Sequence, residues 1–280
     1  SEVRDRARAL VKIQDGCDRF CSYCIIPFTR GPVRSRKLEN IKEEVGRIVK
    51  NGYKEVVLTG IHVASYGKDS GDMSLIDVIE SIAEIEGLER IRTSSVEPLI
   101  ITEEFVQRLG AVDKFCPHFH LSLQSGSDSV LSRMNRRYTS QEYREAVNTI
   151  RRTFPYAAIT TDVIVGFPEE TDQEFEQTYE FLKELKLYET HIFKYSPRNG
   201  TNAAEMPDQV DPSVKNSRSE CLIKLNEKNK KDFEDLHVGQ IVDILIETHE
   251  NGYATGHTKN YIKAGIKTQE NLSNQIIKSR

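Results

Sequence analysis

Six short runs rich in β-branched and aromatic residues alternate with longer stretches of helical period over residues 9–196. The strand-like runs cover 9–15, 55–60, 90–95, 118–123, 158–166 and 190–196, and the helical stretches cover 37–52, 74–87, 102–110, 140–153 and 171–186. Such alternation predicts parallel βαβ units. Six units in about 190 residues predict an α/β fold, a partial (β/α)6 barrel, because a closed eight-unit barrel typically needs about 250 residues.

The pattern changes after Ser196. Residues 197–213 contain three prolines and no period, 213–236 have the pattern of one long charged helix, and 237–280 form short alternating runs. Asn251 and Gly252 are suited to a hairpin turn in that last part. The sequence thus predicts a barrel over 1–212, a connecting helix over 213–236, and a small all-β module over 237–280. The module is expected to be incomplete, because no final strand is evident before Arg280.

Composition excludes several classes of protein. Five cysteines is an odd number, and two of them, Cys116 and Cys221, lie far from the rest, so a disulfide framework is not expected. No run approaches the roughly 18 apolar residues of a membrane span, and the N-terminus has no apolar signal core. We therefore expect a cytoplasmic protein without membrane contact. The net charge of −4 does not by itself indicate a nucleic-acid partner.

The other three cysteines, Cys17, Cys21 and Cys24, fall within eight residues with the spacing C-x₃-C-x₂-C. Three thiolates in one loop can hold an iron–sulfur cluster and leave one iron open for an exchangeable ligand, whereas electron-transfer clusters usually use four cysteines. A zinc site that recruits a distant fourth ligand is an alternative, as is a group of small buried residues without a metal.

The stretch GCDRFCSYC after the first predicted strand, with Tyr23 before the last cysteine, resembles the radical S-adenosylmethionine (SAM) superfamily. The resemblance implies that the three cysteines hold a [4Fe–4S] cluster whose open iron binds the amino and carboxylate groups of SAM. It also implies that an electron from the cluster cleaves SAM to methionine and a 5′-deoxyadenosyl radical.

Further segments resemble the methylthiotransferases within that superfamily. These segments are CSYCIIPFTRGPVRSR, LTGIHVASYG, SSVEP, HLSLQSGSDSVLSRMNRRYT, TTDVIVGFPEET and FKYSPRNGT. The MtaB-type tRNA enzymes are most similar, which implies methylthiolation at C2 of N6-threonylcarbamoyladenosine at position 37. Isopentenyladenosine in tRNA and an aspartate of a ribosomal protein are alternative substrates, and a non-catalytic RNA-binding module held by a metal is the alternative from another class. The resemblance also implies a second cluster in an N-terminal domain that this chain is expected to lack, and with it an inability to complete methylthiolation alone.

Residues at predicted strand ends are the candidate SAM contacts. The resemblance places Thr59 and Gly60 at the SAM amino group, hydroxyl and carboxylate groups after strand three at the ribose, and the backbone of 162–166 at the adenine. The candidates are Tyr23, Thr59, Gly60, Ser95, Glu97, Gln124, Arg137, Asp162, Ile164 and Gly166. Arg137 is the candidate for the SAM carboxylate, and Arg136 is expected to bind a phosphate or to face solvent. His118 and His120 share one strand face, which is typical of satisfied core histidines more often than of a metal site.

Basic residues near the cysteines and in the terminal module are candidate contacts to the tRNA anticodon stem-loop. They are Arg30, Arg34 and Arg36 with Phe28 nearby, Arg4, Arg6 and Arg8 upstream, and Lys259, Tyr261 and Lys263 in a module that resembles the TRAM domain. The resemblance also implies an electron donor such as flavodoxin or ferredoxin.

Overall fold

The computed structural model describes residues 7–71 and 73–280. Its strands are β1 (Arg8–Lys12), β2 (Gln14–Asp15), β3 (Arg34–Ser35), β4 (Glu55–Thr59), β5 (Arg90–Thr93), β6 (His118–His120), β7 (Ala158–Val165), β8 (Glu189–Lys194), β9 (Val242–Glu250), β10 (Tyr253–Thr258), β11 (Lys263–Lys267) and β12 (Ile276–Ser279). Its α-helices are α1 (Ile26–Arg30), α2 (Leu38–Lys50), α3 (Leu75–Ala83), α4 (Glu103–Gly110), α5 (Asp128–Arg133), α6 (Ser140–Thr153), α7 (Asp172–Leu185), α8 (Asn202–Glu205) and α9 (Pro212–Asp235).

Six parallel strands form the barrel wall. Strands β1, β4 and β5 pair in sequence order, and so do β6, β7 and β8. Parallel bridges from Ile91 to Phe115 and from Val96 to Leu121 join the two groups into one curved wall. Helices follow the strands in turn, so the predicted partial (β/α)6 barrel is confirmed.

The helices form where the sequence provides an apolar face and a start signal. In α2, Ile41 and Val45 are fully buried against the sheet. Helix α7 begins with the predicted capping box, in which Thr171 and Glu174 each accept from the other's backbone N–H. Several short elements differ from the prediction. Helices α1 and α5 and strand β3 were not predicted, and the irregular connection contains the short helix α8.

The terminal module is a four-stranded antiparallel sheet in the order β11-β10-β9-β12. Asn251 and Gly252 have φ values of 53° and 77° at the β9–β10 turn, which confirms the predicted hairpin. The expectation that no final strand precedes Arg280 is wrong, because β12 pairs with β9. This strand is only four residues long, so its alternation is too short to recognise. The predicted boundaries after residues 212 and 236 stay predictions.

Side chains of the barrel anchor the module at the N-terminal ends of the strands. Buried Arg90 donates to the backbone oxygens of His257 (2.9 Å) and Asp243 (2.8 Å). The Tyr261 ring stacks between His118 and His257, with centroid separations of 4.5 and 4.6 Å. The module therefore closes this end of the barrel, and the opposite end is left for chemistry.

Replacing Tyr261 tests this interface. Tyr261→Ala removes a ring that lies between two imidazoles and beneath two guanidinium groups, so we expect the free energy of unfolding to fall by about 2–4 kcal/mol. Urea denaturation measures the change. Tyr253→Ala is the matched control, because that tyrosine is 51% exposed and its loss should cost less than about 0.5 kcal/mol. Equal losses in the two variants would contradict the assignment.

Candidate active site

The three clustered cysteines lie in the loop between β2 and α1. Gly16 begins the loop with φ 75°, and a Cβ there would lie 1.8 Å from the Pro32 oxygen, so only glycine fits. The loop is closed by backbone hydrogen bonds from Cys17 to Gly31 (3.1 Å) and from Cys24 to Cys21 (2.9 Å). Each cysteine is half-buried. The sequence thus folds into a loop that presents three thiols to one space.

That space is a cavity of about 160 Å³ at the C-terminal ends of the barrel strands. Besides the cysteines it is lined by Arg19, Tyr23, Ile26, Ile61, His62, Ser95, Val96, Glu97, Ser122 and Arg136. The lining comes from the segments that follow β4, β5 and β6. (β/α) barrels keep their chemistry at this end, so the placement is that of an active site.

The carboxylate of Glu97 is the charged centre of the cavity wall. One oxygen lies 2.7 Å from Arg19 Nη2 and 3.1 Å from His62 Nε2, and the other accepts from Arg136 Nη2 at 3.0 Å. Burial opposes ionisation, but the hydrogen bond and charge of His62 and the charges of Arg136 and Arg19 outweigh it and lower the pKa of Glu97 to about 2. Glu97 is therefore ionised at neutral pH.

Arg136 connects this carboxylate to the cysteines. Its Nη1 lies 3.1 Å from the Cys21 sulfur, and its Nε donates to the Tyr138 hydroxyl at 3.0 Å. The guanidinium also lies over the Tyr138 ring, 4.9 Å from the centroid. A buried guanidinium held on several sides presents a fixed positive charge to Cys21.

The donor set fits an iron–sulfur cluster. The side chains of Cys17, Cys21 and Cys24 all line the one cavity. Burial raises the pKa of Cys17 and of Cys24, so assembly of a metal centre there must release protons from the thiols. Three thiols that line one cavity suit an iron–sulfur centre with one open iron, whereas a structural zinc ion usually takes four protein ligands.

Several candidate SAM contacts lie around this cavity. Tyr23 lines it and packs edge-to-face on Phe167 at 6.4 Å, and Ser95 is exposed on its wall. Thr59 ends β4 as predicted. A Cβ at Gly60 would come within 2.9 Å of the Gln14 side chain, so the glycine lets two loops approach closely.

The candidates on β7 and the β6 end hold structural hydrogen bonds. The backbone of Gln124 accepts from Ile164 (2.9 Å) and donates to Asp162 (2.9 Å). Gly166 has φ 67° and donates its N–H to the buried Glu170 carboxylate. The adenine contact predicted for the backbone of 162–166 and the ligand contact predicted for Gln124 stay predictions.

The two adjacent arginines point in different directions. Arg136 enters the cavity, whereas Arg137 is exposed and donates to the Asp18 backbone oxygen at 3.3 Å on the outside of the cysteine loop. The geometry favours Arg136 over Arg137 as the arginine that faces a ligand. Sequence reasoning missed Arg19 and His62 altogether. The place of His62 just after strand two was the one available signal, and Arg19 had none.

A second cavity of about 670 Å³ lies inside the barrel and shares Ser95 with the first. Its lining includes His118, His120, Asp162, Arg8 and Arg92. The two histidines share one face, as predicted. Burial lowers the pKa of His118 well below its usual value, and Asp162 pairs with His120 at 3.2 Å. Charged and polar side chains therefore line part of the barrel interior.

The candidate RNA contacts separate into exposed and engaged groups. Arg30 and Lys263 are exposed. Arg34 lies 3.5 Å from the Asp15 carboxylate, and Arg36 donates to the Lys12 backbone and to Glu44. Lys259 donates to the Asp113 backbone at 2.7 Å and, with Tyr261, belongs to the interface between module and barrel rather than to free surface. Arg4 and Arg6 lie outside the described residues.

Comparison with protein families gives one match for the barrel, as the radical SAM superfamily model matches residues 11–182. Among curated proteins, the threonylcarbamoyladenosine tRNA methylthiotransferase MtaB of Bacillus subtilis is 43% identical over 98% of this chain and 62% of its own length. The tRNA-2-methylthio-N(6)-dimethylallyladenosine synthase of Pelotomaculum thermopropionicum is 42% identical over 87% of this chain and 55% of its own length. The chain thus spans about three fifths of the relatives it matches.

Solved structures share the fold at low identity. The radical SAM methyltransferase TsrM from Kitasatospora setae has a TM-score of 0.58 at 16% identity, over 70% of this chain and 38% of its own. Coproporphyrinogen III oxidase from Escherichia coli has a TM-score of 0.57 at 18% identity, over 80% and 53%. No helix of the described residues is both long enough and apolar enough to span a bilayer.

Glu97→Gln tests the charged wall of the cavity. The amide cannot neutralise Arg19 and Arg136, so we expect the free energy of unfolding to fall by about 3 kcal/mol at neutral pH. The pKa of Glu97 is lowered from 4.5 to about 2, so the stability it contributes is complete above pH 4.5 and is lost as pH falls toward 2. Urea denaturation at neutral pH and near pH ~3 should therefore show a gap between wild type and variant that narrows in acid. Glu86→Gln, on the exposed surface, is the control. A gap that widened in acid would contradict the ion network.

Proposed function

The chain belongs to the radical SAM superfamily, and from that premise we propose that it is the SAM-cleaving part of a tRNA methylthiotransferase that acts on N6-threonylcarbamoyladenosine at position 37. The family implies a [4Fe–4S] cluster and SAM. The observation that carries the proposal is the convergence of Cys17, Cys21 and Cys24 on one cavity at the C-terminal strand ends. Similarity to methylthiotransferases along nearly the whole chain supports the rest.

The cysteines would hold the cluster, and the cluster when bound supplies the electron that cleaves the S–C5′ bond of SAM. The protein's own residues bind and orient. Arg136 holds a positive charge beside Cys21, and Glu97 fixes Arg136 in place. Ser95 stands where the cysteine cavity meets the barrel interior, a place suited to SAM ribose hydroxyls. Tyr23 and Ile26 line the cavity beside the cysteines, and their apolar surface makes this part of the wall less favourable for water.

The charged groups of the barrel interior favour the threonylcarbamoyl substrate over the isopentenyl one. Arg8, Arg92, His120 and Asp162 line the larger cavity, where Arg8 pairs with Glu247, Arg92 with Glu55, and His120 with Asp162. A polar substituent can add hydrogen bonds to these pairs, whereas an apolar one would displace water from charged groups without replacing its hydrogen bonds. A threonylcarbamoyl group offers a carboxylate, a hydroxyl and amide hydrogens as partners. Isopentenyladenosine is the alternative substrate to be tested, because one of the similar proteins is a tRNA-2-methylthio-N(6)-dimethylallyladenosine synthase. A tRNA partner and an electron donor such as flavodoxin or ferredoxin belong to the same proposal.

Anaerobic reconstitution tests the metal centre. We expect the chain to take up iron and sulfide, to turn brown, and to release 5′-deoxyadenosine from SAM when dithionite is added. Cys24→Ala should lose iron, sulfide and SAM cleavage together, because one of three cluster ligands is gone. Cys221→Ala is the matched control, because this cysteine is exposed on α9. Tight zinc binding without either property would support the non-catalytic module instead.

Isotope transfer tests the substrate without requiring sulfur insertion. RNA hairpins deuterated at C2 of either N6-threonylcarbamoyladenosine or N6-isopentenyladenosine are incubated with reconstituted protein, SAM and dithionite. We expect mass spectrometry to find deuterium in 5′-deoxyadenosine from the threonylcarbamoyl hairpin, and several-fold less from the other. Preferential transfer from the isopentenyl hairpin would reverse the substrate assignment. Transfer from neither hairpin would count against RNA as the substrate.

A further inference from the structure

Two aromatic rings stand exposed on the cysteine loop and on the short helix that follows it. Phe20, next to Cys21 in the cysteine loop, is 51% exposed, and Phe28, on α1, is 68% exposed. The rings meet edge-to-face with centroids 5.7 Å apart. We call Phe20 and Phe28 the rim pair. Two exposed phenylalanines in contact are a feature of binding surfaces more than of a plain solvated loop.

The backbone conformation of Phe20 supports a functional role for this residue. Its φ of 51° lies in the left-handed region, which a bulky side chain rarely adopts. The fold maintains this conformation through neighbouring contacts, because Asn135 Nδ2 donates to the Phe20 oxygen at 2.8 Å. Unfavourable backbone conformations that the surroundings enforce are concentrated at functional sites. The loop therefore presents the Phe20 ring outward at a cost in stability.

Two exposed arginines lie close in sequence or space to the segments that carry the rim pair. Arg30 follows Phe28 by two positions in the same short helix, and Arg137 contacts the cysteine loop at the Asp18 oxygen. Asp18 is the exposed acidic residue in the loop itself. Aromatic faces beside guanidinium groups are the combination that binds unpaired nucleotides, with bases stacking on rings and phosphates pairing with arginine.

We propose that the rim pair is a stacking platform for unpaired RNA bases beside the reacting adenosine, with Arg30 and Arg137 on the neighbouring phosphates. The inference rests on the proposed function, which brings an RNA loop to this cavity. An adenosine that reaches the cysteine cavity must leave the stack of its own loop, and its neighbours then lose their stacking partners. The rim pair, on the loop and helix that adjoin the cysteines, replaces that stacking.

Binding of labelled RNA to the full reconstituted chain tests the platform. The probes are a hairpin with an adenosine in its unpaired loop and a blunt duplex of the same length, both measured by fluorescence anisotropy. Phe28→Ala should weaken hairpin binding about tenfold, as the loss of one stacked base does, and should leave duplex binding unchanged. Tyr156→Ala is the matched control, because Tyr156 is 55% exposed but precedes β7 at the opposite end of the barrel.

Phe20→Gly separates function from stability. Glycine adopts the positive φ freely, so this variant should keep or raise the melting temperature while it weakens hairpin binding. Iron and sulfide content per chain checks that the cysteine loop is intact. The inference is overturned if wild type binds the hairpin and both phenylalanine variants bind it equally well. It is also overturned, in favour of a protein-docking surface, if the variants bind RNA normally but slow flavodoxin-driven reduction. A wild-type chain that binds no hairpin would instead refute RNA as the substrate, and the platform with it.

Discussion

The buried carboxylate of Glu97 ties together four separate parts of the chain. Arg19 comes from the cysteine loop, His62 from the segment after β4, Glu97 from the segment after β5, and Arg136 from the turn after α5. Removing one partner of a buried charge network leaves the others uncompensated, at a cost of about 3–5 kcal/mol. The network therefore fixes the relative positions of these segments, and with them the cavity onto which the cysteines open.

The two ends of the barrel use polar side chains for different purposes. At the N-terminal ends of the strands, Arg90, Arg92 and Tyr261 make contacts within the protein that hold the terminal module in place. At the C-terminal ends, the hydroxyl of Ser95 is exposed and the cysteines remain open to a cavity. (β/α) barrels generally place stability at one end and chemistry at the other. In this chain the contacts at the N-terminal end hold the module, whereas the Glu97 network at the C-terminal end both stabilises the fold and shapes the site.

Local sequence patterns predicted most elements of the fold. The site residues that were not predicted depend on contacts between distant parts of the chain. Each strand, each longer helix, the Asn251–Gly252 hairpin and the cysteine spacing is encoded by residues close together in the sequence. These features could therefore be predicted. Helix α5 spans six residues and β12 four, too few for a period to show. Arg19 and Tyr261 acquire their positions from partners 78 and 143 residues away, Glu97 and His118, and no local pattern encodes such partners.

Arg136 and Arg137 point in different directions because the chain turns where helix α5 ends. Asn135 has φ 56°, and this left-handed residue turns the chain as the helix stops. The turn directs Arg136 into the cavity, and its neighbour lies against the outside of the cysteine loop. Because both arginines depend on one turn, the charge beside Cys21 and the charge beside the rim pair are set together. Asn135 also holds the strained Phe20 backbone, so the same three residues support the inner wall of the cavity and its outer edge. A single turn thus couples the geometry of the thiol site to the surface that we assign to RNA.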